Sequence, residues 1–272
     1  MTTTVQGSRA DTHAIKLSGV KRSYPTAKGE FVAVKDVNLT VASGEFVSVV
    51  GPSGCGKSTL LGLLAGLAKP AAGTVETLGH PVRGVNTEVG FIFQRDALLP
   101  WRTAEQNVAL PLRYHGMSKR DALREARAWL ARVKLDGFGE RYPHQLSGGM
   151  RKRVAIAASL AYQPKIILMD EPFSALDVQT RTIMEDDLLV LWQEYRPSVI
   201  FITHDLEEAV GLSDRVLVMS ASPGTIVGEF TIDLPRPRNL LELRYDERFT
   251  ELSHEIWERL RKEVLQTNVD KR

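Results

Sequence analysis

A glycine-rich stretch of nine residues constrains the fold of this chain more than any other feature. Its residues are Gly51, Pro52, Ser53, Gly54, Cys55, Gly56, Lys57, Ser58 and Thr59. The pattern is Gly, four residues, then Gly-Lys-Ser, in which the glycines allow a tight turn that points several backbone N–H groups at one place. The apolar run 44–50 predicts a buried strand before it, and the leucine-rich run 60–67 predicts a buried helix after it. This strand, loop and helix predict a P-loop for nucleotide phosphates.

Two side chains of the loop have predicted roles. Lys57 is expected to reach the β- and γ-phosphates, and the Ser58 hydroxyl is expected to help hold Mg²⁺. The alternative is a chance Gly/Lys/Ser turn, which the flanking strand and helix disfavour. Cys55 is the only cysteine. Nearby N–H groups could lower the pKa of its thiol, but a small residue that simply fits the loop is the favoured interpretation.

Composition limits the class of protein. The chain has 272 residues, 43% hydrophobic and 25% charged, which is ordinary for a globular protein of one or two domains. Its net charge of +2 argues against a dedicated nucleic-acid binder. One cysteine suits the cytosol, and neither a signal-peptide core nor a membrane-spanning apolar run is present in the sequence. We expect a soluble cytoplasmic protein that reaches a membrane only through a partner.

The order of patterns predicts an α/β fold with added subdomains. Residues 1–12 are expected to be a disordered lead. Strands at 14–17 and 31–41 flank a turn near residues 25–29, with Tyr24 just before that turn. Further strands are predicted at 73–78, 89–94, 165–170, 198–203, 215–219 and 225–231, and helices at about 95–162 form an inserted subdomain. The domain is expected to span 13–235, followed by a helical tail, 236–272, whose apolar stripe docks on the core by default or, alternatively, on a partner.

A second group of motifs narrows the function. Four apolar residues lead to Asp170 at a strand end, and Glu171 follows at once. Asp170 is placed to act on Mg²⁺ and Glu171 to polarise an attacking water, although alone the pair could be an acidic helix start. Ser147, Gly148 and Gly149 precede a helix-like run and form either a helix cap or a second anion-binding end.

Together these motifs resemble the ATP-binding subunit of ABC transporters, over about residues 14 to 230. Leu146-Ser147-Gly148-Gly149-Met150 resembles the family signature, Gln94 its Q-loop glutamine, and Ser174-Ala175-Leu176-Asp177 its D-loop. Tyr24 corresponds to the adenine-stacking aromatic and His204 to the switch histidine. Together with the P-loop and the Asp170-Glu171 pair, these motifs occur in the family order.

The resemblance implies a fold and a mechanism. The fold is a P-loop NTPase core with an N-terminal antiparallel β subdomain and an inserted helical subdomain. Two copies would pair head to tail around ATP and Mg²⁺, so that Lys57 and Ser58 of one copy face Ser147 and Gly149 of the other. Glu171 would be the general base, His204 would hold the γ-phosphate and water in register, and Ser58, Gln94 and Asp170 would surround the metal. The other histidines are assigned no role, and acidic residues at a helix start explain the cluster around Asp205 better than a metal site does.

A closer likeness is to importers of nitrate, sulfonate and taurine. Leu98-Leu99-Pro100-Trp101 after Gln94, and Met150 in the signature, carry it. The implied partners are a transmembrane permease, which the segment around Leu98 to Trp101 would receive, and indirectly a solute-binding protein, with the chain peripheral at the cytoplasmic face of the membrane. Lys152, where the family commonly has Gln, and Ser159 depart from the pattern. A nucleic-acid or ribosome ATPase and a non-hydrolysing regulator are the alternatives.

Overall fold

A computed structural model of the chain describes residues 13–27 and 29–269, with side chains to residue 265. The predicted lead, residues 1–12, and the last three residues of the tail lie outside the described residues. The strands are β1 (His13–Thr26), β2 (Gly29–Ala42), β3 (Phe46–Val50), β4 (Ala72–Thr77), β5 (His80–Pro81), β6 (Val89–Ile92), β7 (Ile166–Asp170), β8 (Ser198–Ile202), β9 (Arg215–Met219) and β10 (Ile226–Thr231). The helices are α1 (Lys57–Leu64), α2 (Ala104–Tyr114), α3 (Lys119–Arg132), α4 (Gly148–Leu160), α5 (Val178–Tyr195), α6 (Leu206–Leu212), α7 (Leu240–Leu243) and α8 (Glu247–Val269).

Two sheets form the body of the fold. A six-stranded sheet has the order β10-β9-β3-β8-β7-β6, in which all neighbours except β10 and β9 are parallel. Strand β3 is buried at every residue, as expected of a strand covered on both faces. The second sheet, β2-β1-β4-β5, is antiparallel throughout. The predicted α/β class and the antiparallel N-terminal subdomain are confirmed.

Helix α1 lies between the two sheets. Its leucines join one buried cluster with Ile15 and Val37 of the antiparallel sheet and Ile200 of the parallel sheet. The helix ends at Leu64, because Gly66 has a φ of +69° and a Cβ there would lie 1.6 Å from the Gly84 carbonyl oxygen. The prediction of a buried helix to residue 67 was therefore wrong at its end, and Leu67 is 62% exposed.

Helices α2, α3 and α4 lie between β6 and β7 in the chain and share a core with the other face of the parallel sheet. Thr103 begins α2 with a capping box, and Ser118 begins α3 by accepting a hydrogen bond from Asp121 N. Residues 93–103, hereafter the Q-loop, contain no helix, so regular helix begins later than the predicted residue 95. Pro100 and the Thr103 cap account for this delay.

The N-terminal hairpin is tighter than predicted. Strand β1 continues to Thr26, so Pro25 lies within the strand rather than in the turn, and pairs with Glu30. Proline is tolerated there because the last β1 residue paired with β4 is Lys21, so that among the described residues β2 alone pairs with this end of β1.

The C-terminal helix packs on the core, as its default interpretation predicted. Phe249, Leu252, Ile256 and Leu260 are buried against α6, β9 and the segment after β10. Arg238 reinforces this junction, since its guanidinium donates to the carbonyls of Val210, Gly211 and Ser213 at the end of α6. Among the described residues, no helix is both long enough and apolar enough to cross a membrane.

Candidate nucleotide site

The carboxyl ends of three parallel strands bring the predicted site residues to one edge. Val49 of β3 pairs with Ile202 of β8, and Asp170 of β7 pairs with the same Ile202. The P-loop follows β3, Glu171 follows β7, and His204 lies two residues beyond β8. Ligand sites of parallel α/β sheets form at such edges.

Close packing fixes the shape of the P-loop. Gly56, the N-cap of α1, has a φ of +99°, and a Cβ there would lie 2.6 Å from Val34 Cγ1 and 2.8 Å from the Ala33 carbonyl oxygen. Strand β2 therefore presses on the loop, and only glycine fits. Gly54 also has a positive φ, +81°, but a Cβ there would meet nothing within 4 Å. The P-loop is therefore closely packed against β2 at Gly56 and has open space beside Gly54.

Lys57 is folded back into the loop. Its ammonium donates to the Gly51 carbonyl at 2.8 Å and the Pro52 carbonyl at 3.1 Å, and the residue is 7% exposed. The neighbouring Ser53 and Gly54 are exposed. An ammonium beside the backbone N–H groups of the P-loop and of the first turn of α1 suits a phosphate, which accepts from both.

Ser58 and Asp170 meet across the site. Ser58 Oγ donates to Asp170 Oδ1 at 3.3 Å. Burial raises the pKa of the Asp170 carboxyl, and the hydrogen bond from Ser58 acts in the opposite direction. A hydroxyl and a carboxylate beside a phosphate loop are the oxygen ligands that Mg²⁺ prefers. The residues present therefore fit a phosphate-bound magnesium ion.

Glu171 is the centre of a polar network. Its Oε2 accepts from Gln94 Nε2 at 3.4 Å and lies 3.2 Å from His204 Nδ1. Its φ of +42° is unusual for a residue with a side chain, and its N–H donates to the Ile202 carbonyl at 2.9 Å. The backbone is thus held in a strained conformation that turns this carboxylate toward Gln94 and His204.

Ser174 belongs to this network as well. Its hydroxyl donates to the Glu171 carbonyl at 3.0 Å and accepts from Gln94 Nε2 at 3.3 Å. The D-loop pattern includes Ser174 but predicts no role for its side chain at the site. Its position three residues after Glu171, in the turn that follows a strand, was the available signal.

The signature and D-loop residues make other contacts. Ser147 caps α4 by accepting from Met150 N at 3.2 Å, and Ser147 and Gly148 are exposed. Asp177 caps α5 by accepting from Thr180 N at 3.0 Å, which lowers the pKa of its carboxyl. A Cβ on Gly149 would lie 3.1 Å from Thr180 Cγ2, so the two helix starts are in contact.

Tyr24 lies on the hairpin that contacts the P-loop. Val34, which touches Gly56, pairs with Arg22, two residues before Tyr24. The Arg22 guanidinium covers the Tyr24 ring at 4.5 Å from its centroid.

Two minor predictions can be compared with the structure. Burial raises the pKa of the Cys55 thiol, although Lys57 acts to lower it, so the structure does not support an activated thiol. Asp205 accepts from the N–H groups of Glu207 and Glu208 as the N-cap of α6, which confirms the helix-start interpretation. Within the described part of the chain, no group of three metal-binding side chains forms a separate metal cluster.

The two departures from the signature pattern both contact the strand and loop that carry Gln94. Lys152 donates to the carbonyls of Phe93 and Gln94, and Ser159 Oγ donates to the Phe91 carbonyl at 3.1 Å. The sequence marked both residues as unusual but gave no sign of these partners.

Comparison with known proteins agrees with this geometry. A family model described as ABC transporter matches residues 34–174. The nitrate import ATP-binding protein NrtD of Synechocystis is 44% identical, over 91% of this chain and 95% of that protein. The nitrate transport protein NasD of Klebsiella oxytoca is 42% identical, over 89% and 94%.

A solved structure gives the same answer. A dimeric ATP-binding cassette in a post-hydrolysis state, bound to ADP and Pi, superposes with a TM-score of 0.73 at 35% identity, covering 81% of this chain and all of that one. With the P-loop, the acidic strand end and the signature in place, the chain belongs to the ABC transporter family.

Proposed function

We propose that this chain is the subunit of an ABC importer that binds and hydrolyses ATP to drive uptake of a small solute through a separate permease. The observation that carries the proposal is the convergence of Lys57, Ser58 and Asp170 with the Glu171 network at one sheet edge. A nitrate-like anion is the proposed solute, because two relatives that match almost end to end are named for nitrate.

In the proposed reaction Lys57 exchanges the Gly51 and Pro52 carbonyls for the β- and γ-phosphates of ATP. Ser58, Asp170 and Gln94 would hold Mg²⁺, which when bound would offset the charge of the phosphate oxygens. Glu171 accepts the proton of the attacking water, and His204, already 3.2 Å from Glu171, keeps the γ-phosphate in register. Tyr24 stacks on the adenine.

The site is proposed to be completed by a second copy of the chain. Ser147 and Gly148 are exposed at the start of α4, where N–H groups and the helix dipole favour an anion. In a head-to-tail dimer these residues and Gly149 would face the nucleotide held by Lys57 and Ser58 of the other copy. Asp177 would lie at the same interface.

The permease is proposed to dock beside the Q-loop. Trp101 at its end is 70% exposed, which is unusual for so large an apolar side chain. A cavity of about 670 Å³ has Glu105, two residues after the Q-loop, in its lining, together with Arg127, Arg141 and Tyr142 among others. Such a permease would hold the chain at the cytoplasmic face of the membrane, and a solute-binding protein would supply the solute from outside.

Co-purification tests this proposal. The tagged chain is isolated from solubilised membranes of the organism that encodes it, and bound proteins are identified by mass spectrometry. A polytopic permease should be recovered with the wild-type chain and depleted with Trp101→Ala, while Trp257→Ala, on the distant α8, serves as the control. Recovery of ribosomes or nucleic acid without a membrane protein would contradict the importer assignment.

A further inference from the structure

An ion cluster joins the Q-loop to the signature helix. Asp96 of the Q-loop receives Arg151 Nε on Oδ2 at 3.0 Å and Lys152 Nζ near Oδ1 at 3.4 Å. Arg151 also donates to the Leu146 carbonyl at 2.8 Å, just before the signature serine. One carboxylate therefore contacts two successive residues near the start of α4.

The Lys152 ammonium makes further contacts with the Q-loop. Its ammonium donates to the Phe93 carbonyl at 3.0 Å and the Gln94 carbonyl at 2.9 Å, in addition to its contact with Asp96. An ammonium has three protons, and here three oxygens of the Q-loop receive them. The Lys152 side chain is only 2% exposed. A charge so fully buried is held in place by its partners, since separation from them would leave it unpaired.

The same helix holds the strand that leads into the Q-loop. Strand β6 lies at the edge of its sheet, with β7 as its sheet neighbour. Tyr162 OH donates to the Val89 carbonyl at 3.1 Å, and Ser159 Oγ donates to the Phe91 carbonyl at 3.1 Å. With Lys152 on the Phe93 carbonyl, every second carbonyl from residue 89 to 93 is bound by a side chain of α4 or of the residues just after it.

We propose that Lys152, through Asp96 and the Q-loop carbonyls, is a positioning residue that makes the Q-loop and the signature helix move as one body. The backbone carbonyl of Gln94 is held by Lys152 while its side chain holds Glu171, and the signature residues begin the helix that carries Lys152. A displacement of the Q-loop would therefore move both the Glu171 side chain of the same chain and the signature residues. This inference rests on the proposed function, because the signature acts on nucleotide held by a second copy.

The test uses the full chain and two substitutions that break the cluster. Lys152→Met removes the charge at similar length, and Asp96→Asn keeps the shape of the bridging side chain. Lys134→Met is the control, because it removes a lysine–aspartate contact of 2.7 Å between the segment after α3 and Asp187 of α5. Steady-state hydrolysis of MgATP gives kcat and KM, and hydrogen exchange of residues 93–103 and 147–153 is followed with and without MgATP in a Glu171→Gln background.

Breaking the ion cluster should lower kcat about twofold to thirtyfold, the range of ordinary coupling energies, with KM for MgATP changed less than about threefold. In the Glu171→Gln parent, both segments should become protected from hydrogen exchange to a similar extent on binding MgATP. In either variant, residues 93–103 should gain less protection than residues 147–153. The kcat of the double variant should be no lower than that of the slower single variant, because both changes break the same ion cluster. If Lys152→Met fails to fold, Asp96→Asn decides, since its side chain is partly exposed.

Two outcomes overturn the inference in different ways. If both variants match Lys134→Met in kcat, and if their two segments still become protected from hydrogen exchange together, the ion cluster has no positioning role. The ATPase assignment would then still stand. If the wild-type chain hydrolyses no MgATP, the proposed function and this inference fail together.

Discussion

Two buried glutamates are predicted to make folding stability depend on pH. Glu185 of α5 and Glu208 of α6 are each about 5% exposed. Burial, followed by the charges of Glu208 and Asp205, raises the pKa of Glu185 to about 8, and only Arg181 opposes this. Burial also raises the pKa of Glu208, although Thr203 donates to its carboxylate. The pair therefore retains a proton at neutral pH that the unfolded chain has lost.

The size of the effect follows from linkage. Because the folded pKa of Glu185 lies above its ordinary value of 4.5, its contribution to stability is complete below pH 4.5 and is lost as the pH rises through about 8. Between pH 6 and pH 8 the folded state binds up to one extra proton, so the free energy of unfolding should fall by about 2 kcal/mol. Glu185→Gln, which needs no proton, should remove this part of the pH dependence.

The assay is urea unfolding of the wild type, Glu185→Gln and the control Glu194→Gln between pH 6 and pH 8. Glu194 lies on the same helix and is half exposed in a surface ion pair with Arg132. The wild type and the control should lose stability in parallel, whereas Glu185→Gln should lose about 2 kcal/mol less. Parallel curves for all three proteins would refute the shared proton.

Three changes at the P-loop are predicted to separate binding from folding. Lys57→Ala should abolish detectable ATP binding in a titration while the fold persists, because it removes the phosphate contact. An unchanged ATP affinity would contradict the P-loop assignment. Gly56→Ala should lower the Tm and the ATP affinity, and it should lower the free energy of unfolding by about 2 kcal/mol or more. The reason is that the new Cβ would clash with Val34 and Ala33 at a residue with a left-handed backbone conformation. Gly54→Ala should cost only about 1 kcal/mol, because its Cβ enters open space, and equal losses for the two glycines would contradict the packing argument.

The core of the fold could be predicted because local pattern and tertiary environment agree there. Apolar runs such as 198–202 are strands buried on both faces, and Ser118 and Asp205 cap the helices they precede. The errors lie where a distant backbone decides. The end of α1 depends on Gly84, which approaches Gly66, and the long hairpin depends on pairing between β1 and β2.

The site could be predicted as a set of residues but not as a network. Asp170 and Glu171 follow from an apolar run that ends in acids, yet the contact of Glu171 with Gln94 joins residues 77 positions apart. Lys152 was recognisable only as an unusual residue, because its partners lie 56 to 59 positions earlier in the chain. Glu185 carried no local signal, since its raised pKa comes from burial and from a carboxylate on another helix.

In the proposed function, two copies of this chain enclose ATP, and Glu171 is needed to hydrolyse it. The most direct measurement is the mass of purified Glu171→Gln in solution, by light scattering after size exclusion, with and without saturating MgATP. We expect a single-chain mass without nucleotide, twice that mass with MgATP, and a return to single chains when Ser147→Arg is added. A Glu171→Gln protein that remains monomeric with ATP bound, or that still turns over ATP at the wild-type rate, would contradict it.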